Sequence, residues 1–256
     1  MCVGSEYPSF AGRVSVVTNT EIAPGIFSLV VAASAVPASL PGQFFMLRAV
    51  PSGVLLGRPI SVYQHDSKTI TFLILHKGRG TAELCSLKAG DFLDIIGPTG
   101  NSFPNPEDFP TSLSVAIIGG GIGIAPVAGF ALGLPPQSFD FFASFRSSTY
   151  GLEGLEKRAK NLVITTEDGS CGTKGMLPSV FNAAHYDLIY ACGPTPMLRY
   201  IQQTCTEEKC SHVFISLEER MACGAGACLG CTVRTINGNK RCCVDGPIFN
   251  AAEVLF

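Results

Sequence analysis

The sequence predicts an α/β plus β protein with an N-terminal antiparallel β-barrel, a doubly wound parallel-sheet domain and a C-terminal cysteine-rich subdomain. Short β-branched and aromatic runs fill residues 1–110, apolar strands alternate with helical segments in residues 111–213, and closely spaced cysteines lie in residues 214–256. A chain of 256 residues, with 46% hydrophobic and 15% charged residues, is long enough for these units and has the composition of a folded protein.

The first unit consists of strand candidates separated by turns. Two β-rich runs flank the turn Ala23-Pro24-Gly25, and further candidates are "GQFFMLRAV", "RPISVYQHD", "KTITFLILHK" and "DFLDIIGPTGNSF". The segment "TAELCSLKAGD", closed by Gly90, is the one helix predicted here. Many short strands at this spacing are typical of a small antiparallel barrel. The proline-rich stretch "PNPEDFPTS", from Pro104 to Ser112, predicts a linker after the barrel.

The second unit alternates strands with helices. The strand candidates are "LSVAIIGG", "FDFFASFRS", "NLVITTEDG" and "YDLIYACGP", and the helix candidates are "IAPVAGFALGL", "LEGLEKRAK", "LPSVFNAA" and "PMLRYIQQTCTEEK". This alternation is the pattern of a parallel sheet with crossover helices. Ligands bind such sheets at the carboxyl ends of the strands, where the glycines of this unit gather.

Two glycine turns predict a nucleotide crevice. The first is "IIGGGIGIAP", which follows a strand, opens a helix and contains Gly119, Gly120, Gly121 and Gly123. Glycines let the backbone approach a pyrophosphate, and the free N–H groups of a helix start face its charge. Ile124 stands where a third motif glycine is usual, and tight strand–helix packing is the alternative interpretation. The second turn, "ACGPTPML", contains Cys192, Gly193 and Pro194 and favours the nucleotide interpretation.

Charge and hydropathy exclude other classes of protein. The net charge of −2 and the absence of a Lys/Arg cluster argue against nucleic acid as a partner. Residues 109–139 carry no charge and are long enough to span a bilayer, but six glycines between Gly119 and Gly133 favour a buried strand, a turn and a packed helix. The N-terminal "MCVGSEYPSFAGR" lacks a basic start followed by an apolar run, so we expect a cytoplasmic protein.

The cysteines of "MACGAGACLGCTV" carry the most specific motif. Cys223, Cys228 and Cys231 have the C-x4-C-x2-C spacing of plant-type [2Fe–2S] ligands, and a fourth ligand is expected further on, at Cys242 or Cys243. The glycines and alanines between them permit a backbone that wraps a cluster closely. A structural zinc site is the alternative; it typically uses paired C-x2-C halves, of which the chain has one, so the spacing favours iron–sulfur.

The barrel unit also contains a candidate phosphate site. In "RPIS", the fork of donors on Arg58 and the hydroxyl of Ser61 can grip a pyrophosphate, and "GRGT" (Gly78 to Thr81) can offer N–H groups to the same phosphates. An ordinary edge-strand arginine is the alternative interpretation.

Taken in order, these motifs resemble the ferredoxin-reductase superfamily. Within it, the ending "EERMACGAGACLGC…CVDGPIF" resembles the electron-transfer subunits of NAD-dependent dihydroorotate dehydrogenases. The resemblance implies an FAD-binding barrel in residues 1–110, an NAD-binding domain in 111–213 and a [2Fe–2S] subdomain in 214–256. It selects Cys243, before an acidic residue and Gly-Pro, as the last ligand. The FAD contacts that it implies are Arg58, Pro59, Ile60, Ser61, Leu73, Ile74, Leu75, Gly80 and Thr81.

The resemblance also implies a function in pyrimidine biosynthesis. A catalytic FMN-containing partner subunit would oxidise dihydroorotate, and electrons would pass through the [2Fe–2S] cluster and FAD of this chain to NAD⁺, in a heterotetramer. The alternative is the reductase subunit of a sulfhydrogenase or of a ferredoxin:NADP oxidoreductase complex. Cys192 is expected either beside the flavin or as a small buried strand residue. Arg146 leaves the choice between NAD and NADP open, since an arginine there can accept a 2′-phosphate.

Overall fold

Six antiparallel strands close the first unit into a barrel in the computed structural model, which describes residues 10–109, 113–207 and 212–256. The barrel strands are β1 (Phe10–Ala23), β2 (Ile26–Ala32), β3 (Phe44–Val50), β4 (Arg58–His65), β5 (Thr69–Leu75) and β6 (Phe92–Thr99). Around the barrel their order is β1-β2-β5-β4-β3-β6. The predicted antiparallel barrel is therefore confirmed.

The barrel interior is apolar because alternate residues of each strand point inward. Leu29, Phe45, Phe72 and Leu93 have no exposed surface there. Helix α1 (Arg79–Ser86) follows β5 and starts earlier and ends earlier than the sequence predicts. Its end is set by Asn19 of β1, whose side-chain amide donates to three carbonyl oxygens of the last turn and the residue after it. A cap from a distant strand replaces the glycine stop expected at Gly90.

The second unit is a seven-stranded sheet. The strands from residue 113 onward are β7 (Val115–Gly120), β8 (Asp140–Phe145), β9 (Asn161–Thr166), β10 (Thr173–Lys174), β11 (Leu188–Cys192), β12 (His212–Ser216), β13 (Thr232–Thr235), β14 (Gly238–Arg241) and β15 (Ile248–Asn250). The sheet order is β10-β9-β8-β7-β11-β12-β15, and β13 and β14 form a separate hairpin. All neighbours in the sheet are parallel except β15, which runs antiparallel to β12.

The central strands β7 and β11 are buried along their whole length, as expected for parallel strands covered on both faces. The helices that cover the sheet are α2 (Ile124–Gly133), α3 (Leu155–Arg158) and α4 (Thr195–Glu207). The uncharged stretch that imitates a membrane span forms β7 and α2. In the part of the chain that the structure describes, no helix is both long and apolar enough to cross a membrane.

Three sequence-based expectations differ from the structure. The helix predicted for "LPSVFNAA" is two short 3₁₀ turns, Leu177–Ser179 and Ala183–His185; the side chain of Asn182 accepts the Ala184 N–H and caps the second turn separately. The helix predicted for "LEGLEKRAK" shrinks to α3, because Gly154 before it adopts a left-handed conformation. Strands β10, β12, β13, β14 and β15 are not among the strands predicted from the sequence, although β12, "HVFIS", has a β-rich composition.

Of the two predicted domain boundaries, one can be compared with the structure. The boundary between residues 110 and 111 lies outside the described residues, as does the end of the predicted linker. The boundary between residues 213 and 214 falls inside β12, which pairs with β11 over its full length. Since a strand belongs to the sheet that it pairs with, we propose that the continuous part of the second unit extends to Ser216 and that β15, from the predicted third unit, completes its sheet.

The C-terminal segment is anchored on the barrel by Asn101, which follows β6. Its buried side chain donates to the carbonyl oxygens of Asp245 and Ile248, at 3.1 and 2.8 Å, and accepts the Ile248 N–H at 2.9 Å. The backbone N–H of Asn101 also bonds to the Gly246 carbonyl. One short side chain therefore fixes the segment between Arg241 and β15 relative to the barrel.

We expect Asn101→Ala to lower the free energy of unfolding by about 2–4 kcal/mol, because three hydrogen bonds are lost and their buried partners stay unpaired. The thermal midpoint, measured by circular dichroism, should fall by roughly 5–10 °C. Asn105→Ala is the matched control, since Asn105 only caps an exposed 3₁₀ turn, and it should lower the midpoint far less. Equal midpoints for the two variants would contradict the anchoring role.

Candidate functional site

The loop that carries the first three candidate ligands turns tightly. Gly224 and Gly226 have left-handed backbone angles (φ 64° and 76°), and so does Leu229 (φ 58°), the residue between Cys228 and Gly230. A Cβ atom on Gly224 would lie 2.5 Å from Cγ of Met46, and one on Gly226 would lie 2.6 Å from Cγ2 of Val244. Glycine is thus required at both positions by conformation and by close approach.

The four candidate ligands meet as two pairs. The thiols of Cys223 and Cys228 are hydrogen-bonded to each other, and so are those of Cys231 and Cys243. In the described part of the chain, no three His, Cys, Asp or Glu side chains are arranged so that they could hold a single metal ion. Two thiol pairs suit a binuclear cluster, in which four cysteines are shared between two irons.

Backbone N–H groups point at the sulfurs of this loop. Gly226 donates to Sγ of Cys243 at 3.2 Å, Ala225 to Sγ of Cys223 at 3.4 Å and Gly230 to Sγ of Cys228 at 3.5 Å. Partial burial raises the pKa of the Cys223 thiol, but N–H groups of Ala225 and neighbouring residues outweigh burial and bring its pKa to about 7. Hydrogen bonds of this kind favour thiolate, the form that binds metal.

The second half of the site is closed by Arg241 and Asp245. The Arg241 backbone N–H and Nε donate to Oδ2 of Asp245, at 2.6 and 3.4 Å, and Nη1 of Arg241 reaches the Gly226 carbonyl at 3.4 Å. The acidic residue of the "CVDGP" tail thereby links the segment of Cys243 to the loop of Cys223. Val244, which separates Cys243 from Asp245, packs against Gly226 and disturbs neither pair.

The structure distinguishes the two adjacent candidates for the fourth position. Sγ of Cys243 accepts the Gly226 N–H and faces Cys231, whereas Sγ of Cys242 donates to the carbonyl oxygen of Leu217 at 3.4 Å. Both residues are buried. Only Cys243 completes a pair with another candidate ligand.

The "RPIS" stretch opens β4 and pairs with β3 in the barrel wall. Nη1 of Arg58 donates to the carbonyl oxygens of Leu56 and Gly57, both at 3.2 Å, and the guanidinium crosses the start of α1. A Cβ atom on Gly80 would overlap the Arg58 guanidinium, so Gly80 must be a glycine for that arginine to lie there. Arg58 and Gly80, which the sequence predicts to act on the same phosphates, therefore lie together at the N-terminus of α1.

The other candidate flavin contacts differ in their hydrogen bonds and in their exposure. Oγ1 of Thr81 accepts the N–H groups of Lys77 and Gly78, so its hydroxyl already caps the loop. Leu73 is buried and Leu75 is exposed, but Ile74 has no exposed surface and packs in the barrel core. Of the three, Leu75 has the side chain that a flavin can reach most directly.

The thiol loop and the "RPIS" stretch lie on the same part of the barrel. Gly224 contacts Met46 of β3, and Met46 is the register partner of Pro59 in β4. A group held by the thiols and a group held by "RPIS" would therefore lie on neighbouring strands. The sequence places these motifs far apart, and β3 brings them together.

The two glycine turns of the sheet are in direct contact. A Cβ atom on Gly123 would lie 2.6 Å from the Cys192 carbonyl oxygen, and one on Gly193 would lie 3.0 Å from Cα of Gly120. Gly119 likewise clears Ile124 of α2. Packing alone accounts for these glycines. Gly121 is different, because it is left-handed (φ 53°) and faces open space, so packing leaves its backbone available to a ligand.

Cys192, Ser216 and Glu218 meet at the ends of β11 and β12. Cys192 is buried, pairs with Gly119 and Ser216 in register, and hydrogen-bonds to the Ser216 side chain. Burial, followed by the nearby Glu218 carboxylate, raises the pKa of the Cys192 thiol and keeps it protonated. Glu218 is an exposed residue, but partial desolvation of its carboxyl group raises its pKa, and the charge of Lys77 after β5 opposes that shift. The Glu218 charge thus acts on a residue of the sheet and on one that follows the barrel strand β5.

Arg146 follows β8 and is exposed, next to the residues that follow β9. Its carbonyl oxygen accepts the Asp168 N–H at 3.3 Å. Hydrogen bonds from Ser170 lower the pKa of Asp168 and favour its carboxylate. A carboxylate of the kind that binds a ribose diol therefore shares this edge with the arginine.

Sequence reasoning overlooks several residues that position the site. Met46 and Asn101 give no motif signal, because their partners are distant in sequence. Glu218 gives no motif signal of its own, and its charge acts on Cys192 and Lys77 only because the fold brings these groups near one another. The Gly-Asn pair after β6, typical of a turn, is the one local signal that could have drawn attention to Asn101.

The donor set fits the two prosthetic groups implied by the resemblance. Two thiol pairs with three N–H···S contacts suit a [2Fe–2S] cluster. An arginine held over a glycine at a helix N-terminus suits the pyrophosphate of a dinucleotide. Gly121 and the ends of β7 and β11 suit a second nucleotide at the crevice of the sheet.

Comparisons with known proteins agree with this geometry. Residues 218–255 match the family model of the iron–sulfur cluster binding domain of dihydroorotate dehydrogenase B. The electron transfer subunit of dihydroorotate dehydrogenase B (NAD⁺) from Clostridium acetobutylicum is 42% identical over 84% of this chain and 86% of its own length. The corresponding subunit from Clostridium perfringens is 38% identical over 96% of this chain and 98% of its own.

Solved structures share the fold. The structure of an NADH-dependent reduced ferredoxin-NADP oxidoreductase superposes with a TM-score of 0.81 at 25% identity, covering 96% of this chain and 91% of that one. A ferredoxin reductase of carbazole 1,9a-dioxygenase superposes with a TM-score of 0.66 at 24% identity, over 82% of this chain and 69% of its own.

Proposed function

Because the chain belongs to the family of electron transfer subunits of NAD-dependent dihydroorotate dehydrogenase B, we propose that it passes electrons from a dihydroorotate-oxidising subunit to NAD⁺. It is an oxidoreductase subunit of the FAD- and [2Fe–2S]-containing type. The observation that carries the proposal is the contact of Gly224 with Met46, which brings the thiol loop onto the strand beside "RPIS".

For the cluster we propose the ligands Cys223, Cys228, Cys231 and Cys243, in the two pairs described above. Backbone N–H groups aimed at the sulfurs stabilise their negative charge. When bound, a [2Fe–2S] cluster carries single electrons and FAD exchanges them for the two electrons of a nicotinamide hydride. The protein supplies position and electrostatics for this exchange.

For FAD we propose Arg58 and Gly80 at the pyrophosphate, with Pro59, Ile60 and Ser61 along the flavin. Thr81 shapes the loop through its hydrogen bonds. Leu73, Ile74 and Leu75 remain in the proposal at the end of β5, with Leu75 the exposed one of the three. Arg58 neutralises phosphate charge, and the N-terminus of α1 adds free N–H groups.

For NAD⁺ we propose the edge of the sheet where β7 and β11 end. Gly121 offers backbone to the pyrophosphate, while Gly119, Gly120 and Gly123 let α2 start close to the strand. Cys192, Gly193 and Pro194 form the opposite side, with Cys192 kept as a neutral thiol.

The exposed side of the thiol loop is the surface where we expect a partner protein to bind. Cys228 and Leu229 are exposed, whereas Cys231 and Cys243 are buried. We propose that the catalytic flavoprotein docks at this side, so that electrons enter near Cys228 and leave toward the barrel. A heterotetramer with an FMN-containing subunit in the cytoplasm is the assembly proposed, following the family.

The alternative partners, a sulfhydrogenase or a ferredoxin:NADP oxidoreductase complex, share the fold. An NADH-dependent reduced ferredoxin-NADP oxidoreductase, for example, has the same fold as this chain at 25% sequence identity. Relatives named as dihydroorotate dehydrogenase B subunits reach 38% identity over 96% of the chain, which favours the first partner.

The test is reconstitution with the catalytic subunit encoded in the same genome. We expect dihydroorotate-dependent NAD⁺ reduction only when both proteins are present, and co-elution of the two in size-exclusion chromatography. The catalytic subunit alone, with an artificial electron acceptor, is the control that shows it is active. NAD⁺ reduction without this chain, or stable assembly with a hydrogenase subunit instead, would overturn the proposal.

A further inference from the structure

Cys242 lies at a junction that the proposed ligand set leaves unexplained. Its side chain has no exposed surface. Its thiol donates to the Leu217 carbonyl oxygen at 3.4 Å, and its backbone N–H donates to the carbonyl oxygen of Cys231 at 2.9 Å. One residue thus bonds to a proposed ligand through its backbone and to the end of β12 through its sulfur.

Leu217 connects this junction to the crevice. It follows β12 directly, its N–H bonds to the Pro247 carbonyl at 2.9 Å, and the next residue is Glu218. The charge of Glu218 is near enough to Cys192 of the sheet and to Lys77 after β5 to shift pKa values there. The backbone at Leu217 therefore lies between the cysteine segment and the wall where FAD and NAD⁺ are proposed to meet.

The space around the Cys242 side chain favours a small hydrogen-bond donor. The residue lies in the apolar core between the sheet and the thiol loop, together with Cys231, Cys243 and Ile215. A Cβ atom on Gly246 would lie only 3.0 Å from the Cys242 carbonyl oxygen, so the backbone is enclosed as well. In such a core the thiol supplies the Leu217 carbonyl with a hydrogen bond without adding bulk.

We propose that Cys242 is a positioning residue whose bond to Leu217 holds the cysteine segment against the end of β12 and so fixes the cluster relative to the flavin. This inference rests on the proposed function, because it assumes that Cys231 and Cys243 hold a cluster. Cys242 itself is not a ligand. It acts through the two segments that it joins.

The test compares Cys242→Val, Cys242→Ser and wild type in the full chain, co-expressed with its catalytic subunit. Valine removes the donor and adds about one methyl group of volume, an increase that the Cys205→Val control below shares, and serine keeps the donor. We expect unchanged iron content for both, and about fivefold faster iron release to a chelator for Cys242→Val, as for the loss of one hydrogen bond. Cluster reduction after mixing with NADH should be slower in Cys242→Val, and its midpoint potential should shift. In Cys242→Ser, the rate of iron release, the rate of cluster reduction and the midpoint potential should all equal those of the wild type.

Cys205→Val is the matched control, since Cys205 is a buried cysteine of the same core on α4 and should leave cluster reduction unchanged. Cys242→Ala replaces the valine variant if that variant does not fold. Loss of iron from the valine or alanine variant would make Cys242 a ligand and overturn the proposal. So would wild-type reduction rates and potential in Cys242→Val, or a serine variant that behaves like valine. A wild-type chain without iron would instead overturn the proposed function.

Discussion

Replacing Cys228 by serine is expected to abolish the EPR signal of the reduced [2Fe–2S] cluster, because a serine oxygen is a poor substitute for thiolate at iron. Cys228 is exposed, so the substitution disturbs no core packing. FAD content and NADH-dependent reduction of a two-electron dye should persist, since the barrel and the sheet are unaltered. Electron exchange with the catalytic subunit should be lost.

The measurement is EPR of the dithionite-reduced chain, with iron and flavin quantified on the same sample. Cys171→Ser is the control, because Cys171 is a half-exposed cysteine outside the thiol loop and should leave the signal intact. An unchanged signal in Cys228→Ser would contradict the assignment of the cluster ligands. Simultaneous loss of flavin would show that the loop and the barrel are less independent than the structure indicates.

Replacing Arg58 by alanine is expected to weaken FAD binding roughly tenfold to a hundredfold. The loss corresponds to about 1.5–3 kcal/mol for hydrogen bonds to a charged phosphate. The variant should be purified with little flavin, while its cluster and its affinity for NADH remain, because the ligands and the glycine turns lie on other elements. Flavin retained after dilution and gel filtration is the quantity to measure.

Arg13→Ala is the matched control for Arg58→Ala. Arg13 lies on the same barrel and forms an exposed ion pair with Asp94 at 2.9 Å, which contributes little to stability. It should retain flavin like the wild type. If Arg58→Ala also retained full flavin, the "RPIS" stretch would be an ordinary barrel strand, and the proposed FAD site would have to move.

Part of the site was predictable because its signals are local. The C-x4-C-x2-C spacing and the intervening glycines identify the thiol loop, and the structure gives Gly224 and Gly226 left-handed angles. The β-rich runs of the first unit and the alternation of strands and helices in the second predicted both architectures. Short-range propensity and spacing suffice for such features.

Other predictions were wrong where specific side-chain contacts overrule local pattern. "LPSVFNAA" is compatible with a helix, but the side chain of Asn182 starts a new 3₁₀ turn in the middle of it. Helix α1 ends under the amide of Asn19, from the first strand of the barrel. The first contact lies within the segment itself, whereas the second comes from a residue distant in sequence, which no local pattern can report.

By itself, the sequence indicated the chemistry that the chain can carry: thiols at a spacing that suits iron, an arginine that can meet a phosphate and strand ends that can open to a nucleotide. Only the tertiary structure decided where these groups stand relative to one another. Met46 places the thiol loop beside "RPIS", Asn101 anchors the last segment on the barrel, and Leu217 receives the thiol of Cys242 rather than that of Cys243. The reason is that ligand type is a property of single side chains and short spacings, whereas the distance between two groups is set by the packing of segments far apart in the chain.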